Sequence, residues 1–180
     1  MMTKLVQSLL ILSAMAAIGL ATTSVFADNV KESGSMDVTY AKRDVQPIPD
    51  QDGHILMLTD AVAINKDTAG TGYLDGFSAN VREIVDLTRG TGPQQGYVIF
   101  SKGPDQLVVK LSGMVTTTMK DGKPNTTFNG SFSAVDGKGA LAGEEGQGSY
   151  SGYFTAEDKF HVDWEGTRTP PKGAVADSKK

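Results

Sequence analysis

Between residues 36 and 165 the chain alternates apolar and polar positions with period two and is interrupted by turn chemistry roughly every ten to fifteen residues. No window of about a dozen residues keeps an uninterrupted helical apolar stripe. Strands are predicted over Met36 to Lys42, His54 to Asn65, Asn80 to Leu87, Gly96 to Lys102, Gln106 to Met119 and Thr126 to Ala134. Leu141 with its neighbours, Gly146 to Thr155 and Lys159 to Glu165 complete the series. The breakers are PIPDQDG, KDTAGTG, RGTGPQQG, KGPD, KDGKPN and VDGKG. Asp121-Gly122 and Asp136-Gly137 carry the chemistry that closes antiparallel hairpins. Eight or nine short strands with no room for crossover helices predict an antiparallel sheet that closes into a barrel or splits into a sandwich.

The strand faces refine this. Phe160, Val162 and Trp164 share one face, and His161, Asp163 and Glu165 share the other. Leu107, Val109, Leu111, Val115 and Met119 fall together, but Val108 and Met114 lie opposite them. Such a mixed outer face suggests cover by a subunit partner.

The ends of the chain read differently. Met1 to Lys4 is a short basic start, LVQSLLILSAMAAIGLA is apolar, and Val25 and Ala27 fit the small-residue pattern of a cleavage site. Residues 1–27 therefore read as a cleaved secretory signal peptide, giving an exported protein, periplasmic or secreted, with no membrane attachment after cleavage. Residues 28–35 read as a flexible polar lead-in, 36–165 as the barrel domain, and 166–180 as a disordered tail rich in Pro, Gly and charge. Losing Lys4 takes the net charge from −4 to −5, because the leader holds no acidic residue. That mild acidity, with scattered basic residues, argues against nucleic acid as a partner. The chain has no cysteine, so burial and hydrogen bonding must hold it without disulfides.

The stretch GKGALAGEEGQGSYSG, Gly137 to Gly152, concentrates glycine and raises a choice between phosphate cradle and strand geometry. Gly122-Lys123-Pro124 and Gly137-Lys138-Gly139 lack the Ser or Thr a Walker loop needs after its lysine. A dinucleotide fingerprint is excluded by the spacing to Gly143 and by the missing helix. Glycine at bends and close approaches of coiled strands is the better explanation. Gly146, Gly148 and Gly152 share a face with Tyr150 and Phe154, alternating small and large as a tapered barrel interior requires. From Phe128 to Gly152 the chain resembles the glycine hairpin of the allene oxide cyclase and dirigent barrels, with TFNGSFSAVDG as the strand leading into it. The resemblance implies an all-β, eight-stranded antiparallel up-and-down barrel of calycin-like form, and a homo-oligomer, usually a trimer. It also implies a cavity that either cyclises a fatty-acid-derived epoxide or orients phenoxy radicals.

Candidate chemistry is sparse. Glu83 falls on the apolar face of Val81, Val85 and Leu87, where a carboxyl would gain a raised pKa and could serve as a general acid or base. Asp60, inside LMLTDAVAI, is the second such candidate. On the opposite face of the Glu83 strand, Arg82 and Asp86 are placed to pair. Tyr97, Tyr150, Tyr153, Phe154 and Trp164 are the aromatics placed to line or plug the barrel, with Tyr97, Tyr150, Phe154 and Trp164 the ligand-binding candidates. His161, Asp163 and Glu165 project together but read as a solvated face, so no metal and no cofactor is expected. No G-x-S-x-G elbow supports a hydrolase. Three functions follow as expectations: a barrel binding a small apolar or phenolic ligand, a cyclase or isomerase that orients a reactive substrate, or a structural barrel with a packed interior.

Overall fold

A computed structural model describes residues 29–170. Eight strands run in chain order: β1 (Val30–Pro47), β2 (His54–Asp67), β3 (Ser78–Thr88), β4 (Gly92–Lys102), β5 (Asp105–Lys120), β6 (Lys123–Lys138), β7 (Glu145–Ala156) and β8 (Lys159–Thr169). Each strand pairs antiparallel with the next, and β1 pairs with β8, so the sheet closes into an up-and-down barrel with no free edge. Of the barrel and the sandwich that the alternation allows, the structure is the barrel, with the eight antiparallel strands that the glycine-hairpin resemblance implies.

Closure explains where the structure departs from the sequence reading. Val30 to Ser35 is not a flexible lead-in: it belongs to β1 and pairs with Asp163 to Arg168 on β8. For the same reason β8 continues to Thr169 rather than yielding to a tail at Gly166. A barrel must satisfy the backbone of its first and last strands, and these polar residues do so through main-chain bonds. Leu141 lies in a single 3-10 turn, Gly139–Leu141, rather than a strand, which leaves eight strands and not nine. β4 starts at Gly92, because the turn closes early at Thr88 and Thr91 and lets Gly92 to Gln95 pair with β5. The signal peptide and residues 171–180 of the expected tail lie outside the described residues.

The glycines act by close approach. Gly34, Gly148 and Gly152 stand directly across from Trp164, Phe132 and Phe128. A side chain at any of them would overlap the ring of its partner. Each aromatic ring therefore lies flat over a glycine on the neighbouring strand, which lets strongly coiled strands pack large rings inward. The interior packs Phe128 edge-on to Phe160 at 5.5 Å, with Tyr40 5.2 Å from Phe160.

One end of the barrel is closed by the β2–β3 loop, residues 68–77, which places Leu74 in the core. Leu74 sits at φ 53, in the left-handed region a leucine rarely occupies. Its buried side chain and a bond from Asn65 Nδ2 to its carbonyl (3.1 Å) hold it there. Asn65 in turn accepts the Trp164 indole N–H at 2.8 Å. The plug is tied to the strands by charged contacts: Arg168 binds Glu32 at 2.8 Å and stacks over Tyr73 at 4.4 Å, while Tyr73 donates its hydroxyl to Glu144 and Thr71 donates to Glu32. Glu32 and Glu144 are both buried. A buried carboxylate without such partners would be strongly destabilising.

Candidate functional site

Inward alternation from all eight strands leaves a cavity of about 290 Å³ inside the barrel. Its walls are branched aliphatics from β3, β4 and β5, such as Val81, Val98 and Leu111. Facing them are nine aromatic rings, among them Tyr40, Phe128, Phe160 and Trp164. Leu74 and Tyr73 of the plug line it at one end, and Gly90, Thr117 and Thr126 lie at the other. The interior is therefore not filled by its own side chains.

Glu83 is the single charged residue of the lining. It stands on β3 between Thr59 of β2 and Gly96 of β4. Gly96 has no side chain to cover the carboxyl. Glu83 is partly buried, and its side chain lines the cavity. Burial alone pushes its pKa up to about 7, and neither a hydrogen bond nor an opposite charge offsets that cost. Its strand neighbour Thr59 is 1% exposed and keeps a buried hydroxyl with no partner among the described residues. Two orphaned polar groups, side by side in an otherwise oily interior, are what a stability argument would remove.

A second polar pair lies close by. Gln94 Nε2 donates to the Tyr150 hydroxyl at 2.9 Å, and that hydroxyl rests over Gly113 and Gly130. Burial pushes the Tyr150 phenol up to about 12, and burial likewise raises the Tyr40 phenol. The charge of Glu83 adds to both shifts. Chemically the cavity offers a large apolar surface, one carboxyl able to give or take a proton near neutrality, and three phenols, those of Tyr40, Tyr73 and Tyr150, that stay protonated.

The sequence candidates divide by strand parity. Glu83, Tyr150, Phe154 and Trp164 come together on the cavity wall. Asp60 does not: it lies on the outer surface, 3.2 Å from Arg82. The reason is that β2 is apolar on both faces, with Leu58 and Val62 exposed beside Asp60 while Thr59 and Ala61 point inward. Tyr97 is also outside and 46% exposed, between Arg82 and Lys110. The expected Arg82–Asp86 pair is replaced by Arg82–Asp60 and by Asp86–His54 at 2.7 Å. His161 sits on the outer face between Asp37 and Asp163, at 2.8 and 3.3 Å, so this is the surface expected of it. No metal-binding group of three His, Cys, Asp or Glu occurs among the described residues.

The sequence reading missed Gln94, Tyr40 and Tyr73. Tyr40 was accessible from the period-two series Met36, Val38, Tyr40. Gln94 was hidden because RGTGPQQG reads as a turn, and Tyr73 because nothing local shows that a glycine-rich loop folds back into a barrel.

No protein-family model matches the chain, and no curated protein matches it. Among solved structures, a pterocarpan synthase dirigent protein is similar at a TM-score of 0.41 and 12% identity, over 87% of this chain and 96% of that one. The fold assignment rests on the strand pairing described above, and the site on its own residues.

Proposed function

We propose that this barrel binds a small apolar or phenolic molecule in its interior, as an exported protein. The carrying observation is the aromatic-walled cavity of about 290 Å³ with an unpaired carboxyl on its wall. A protein interior of this size is ordinarily packed, and a cavity with a few convergent polar groups is the usual form of a ligand site. Native mass spectrometry of the purified chain, with titration of small aromatic probes by calorimetry, tests it. A retained molecule or saturable binding is expected. An empty barrel that binds none of the probes would sink the proposal. Export has its own check, an intact mass beginning at Asp28.

A second reading, a cyclase or isomerase, is favoured by one feature. A carboxyl near pKa 7 in an apolar-walled cavity is suited to both proton donation and abstraction, and walls that fix a reactive substrate supply proximity. Conversion of a cavity ligand by the native protein but not by Glu83→Gln is the expected result; equal conversion by both overturns it.

Self-association belongs to the same proposal. Leu58, Val62, Ile64, Ile84 and Tyr97 are exposed together on the outside of β2, β3 and β4. The opposite sector carries Ser112, Ser131, Ser149 and Glu165 in one cross-strand row. Exposed apolar side chains on three adjacent strands, grouped around the Asp60–Arg82 pair, support contact with further copies of the chain.

A further inference from the structure

We propose that the cavity selects a hydrophobic amine, whose ammonium group pairs with Glu83 while its body lies against the aromatic wall. This deepens the ligand-binding reading and rests on it.

Glu83 is the one charged group lining the cavity, and no lysine, arginine or histidine lines it. Arg168 lies behind Tyr73 and is engaged by Glu32 and Glu144; Arg43 shares the cross-strand row of Thr59 and Glu83, but its guanidinium lies over the Tyr40 ring at 5.3 Å and is engaged by the Glu157 carbonyl at 3.1 Å and carboxylate at 3.6 Å. The groups that face Glu83 from neighbouring strands are Thr59 of β2, Gly96 and Gln94 of β4, Tyr40 of β1 and Tyr150 of β7. None of them is a cation, and both phenols remain neutral at ordinary pH. Among the described residues no cation contacts Glu83, so a cationic ligand would supply the carboxylate's counter-charge.

A ligand class follows from that imbalance. A carboxylic or phosphate ligand would place a second negative charge beside Glu83 with nothing to neutralise either, so acids are rejected. A neutral alcohol or phenol can hydrogen-bond to Glu83 but leaves its charge unpaired above neutrality. An ammonium group pairs with a carboxylate whose desolvation the fold has already incurred, so only the ligand's own desolvation opposes binding. The lining rings of Tyr40, Phe128, Phe154, Phe160 and Trp164 would favour a cation seated over a ring face. Gln94 Oε1, free of its amide's bond to Tyr150, adds an acceptor for a second ammonium hydrogen.

The test uses three probes with one aromatic body: naphthylmethylamine, naphthylmethanol and naphthoic acid, titrated into the full chain by calorimetry. At pH 8 the amine is expected to bind at least ~10-fold more tightly than the alcohol, the cost of about one strong charged contact, and the acid not to bind. Lowering the pH below about 6 should erase the amine's advantage, because Glu83, with its pKa near 7, then carries a proton. Glu83→Gln should reduce the amine to the alcohol's affinity while the alcohol still binds, which shows that the variant is folded. An alcohol that equals the amine in the native protein, or an amine preference that survives in Glu83→Gln, overturns the proposal while leaving ligand binding intact. Failure of all three probes to bind overturns the ligand-binding reading and this inference with it.

Discussion

Phe128 on β6 and Gly152 on β7 are directly cross-strand, and the Phe128 ring occupies the volume that any side chain at position 152 would need. Gly152→Ala must therefore displace both the His161 carbonyl on β8 and the ring, which packs edge-on to Phe154 and Phe160. A destabilisation of about 1–3 kcal/mol is expected from such overpacking. Urea unfolding against the neighbouring outer-face variant Ser151→Ala measures it. Equal midpoints for the two variants would show that the ring has room to move.

Glu83 makes stability depend on pH in a defined direction. Its folded pKa, about 7, lies above the ordinary value of 4.5, so the folded state holds the proton more tightly. Its burial penalty is absent below pH about 4.5, grows as pH rises, and is complete above about 7. The loss from this group is about 3 kcal/mol at most. His54 and His161, whose pKa values are raised mainly by hydrogen bonds to Asp50 and Asp37, also lose stabilisation as pH rises through their folded pKa. The diagnostic is therefore the difference from Glu83→Gln, measured by urea unfolding at pH 5 and pH 8. That variant is expected to gain on the native protein only at the higher pH; parallel profiles would contradict the assigned burial.

The plug at residues 68–77 depends on Tyr73. Removing its hydroxyl in Tyr73→Phe leaves the buried Glu144 with Arg168 at 4.0 Å as its remaining ionic partner. A loss of about 1–3 kcal/mol is expected for a carboxylate deprived of its donor. Amide exchange should quicken in the loop and leave β5 and β6 unchanged. Unaltered loop exchange would mean that the burial of Leu74 alone holds the plug.

Self-association through the outer face of β2 to β4 predicts that Ile84→Lys lowers the assembly state. Ile84 is 45% exposed and stands next to Leu58 across the strand pair, so a charge there would be buried unpaired in a contact between copies. Sedimentation velocity of the native chain and the variant reads it directly. A monomeric native protein removes the proposal.

The sequence alone determined the period-two alternation, the hairpin turns and the want of helical stripes, and these suffice for an antiparallel sheet that is either a closed barrel or a sandwich. Local chemistry decides them: a residue's face follows from parity, and Asp-Gly or Gly-rich breaks end a strand wherever the rest of the chain lies. Glu83, Tyr150, Phe154 and Trp164 were legible for the same reason, since each sits in a strand with one clearly apolar face. Asp60 and Tyr97 were not. On β2 both faces are apolar, and only closure of the sheet decides that Thr59 points inward and Asp60 outward. Closure also turned a polar lead-in into half of the β1–β8 seam, because that seam is made of backbone bonds, which carry no side-chain signature. The folding of residues 68–77 back over the barrel end is likewise a tertiary decision, resting on contacts between Tyr73 and Glu144 and between Asn65 and Trp164. Most of all, the sequence shows that Glu83 lies among apolar neighbours. That no partner reaches it is a property of the assembled interior, where nine rings and a wall of aliphatic side chains leave its carboxyl facing an open cavity.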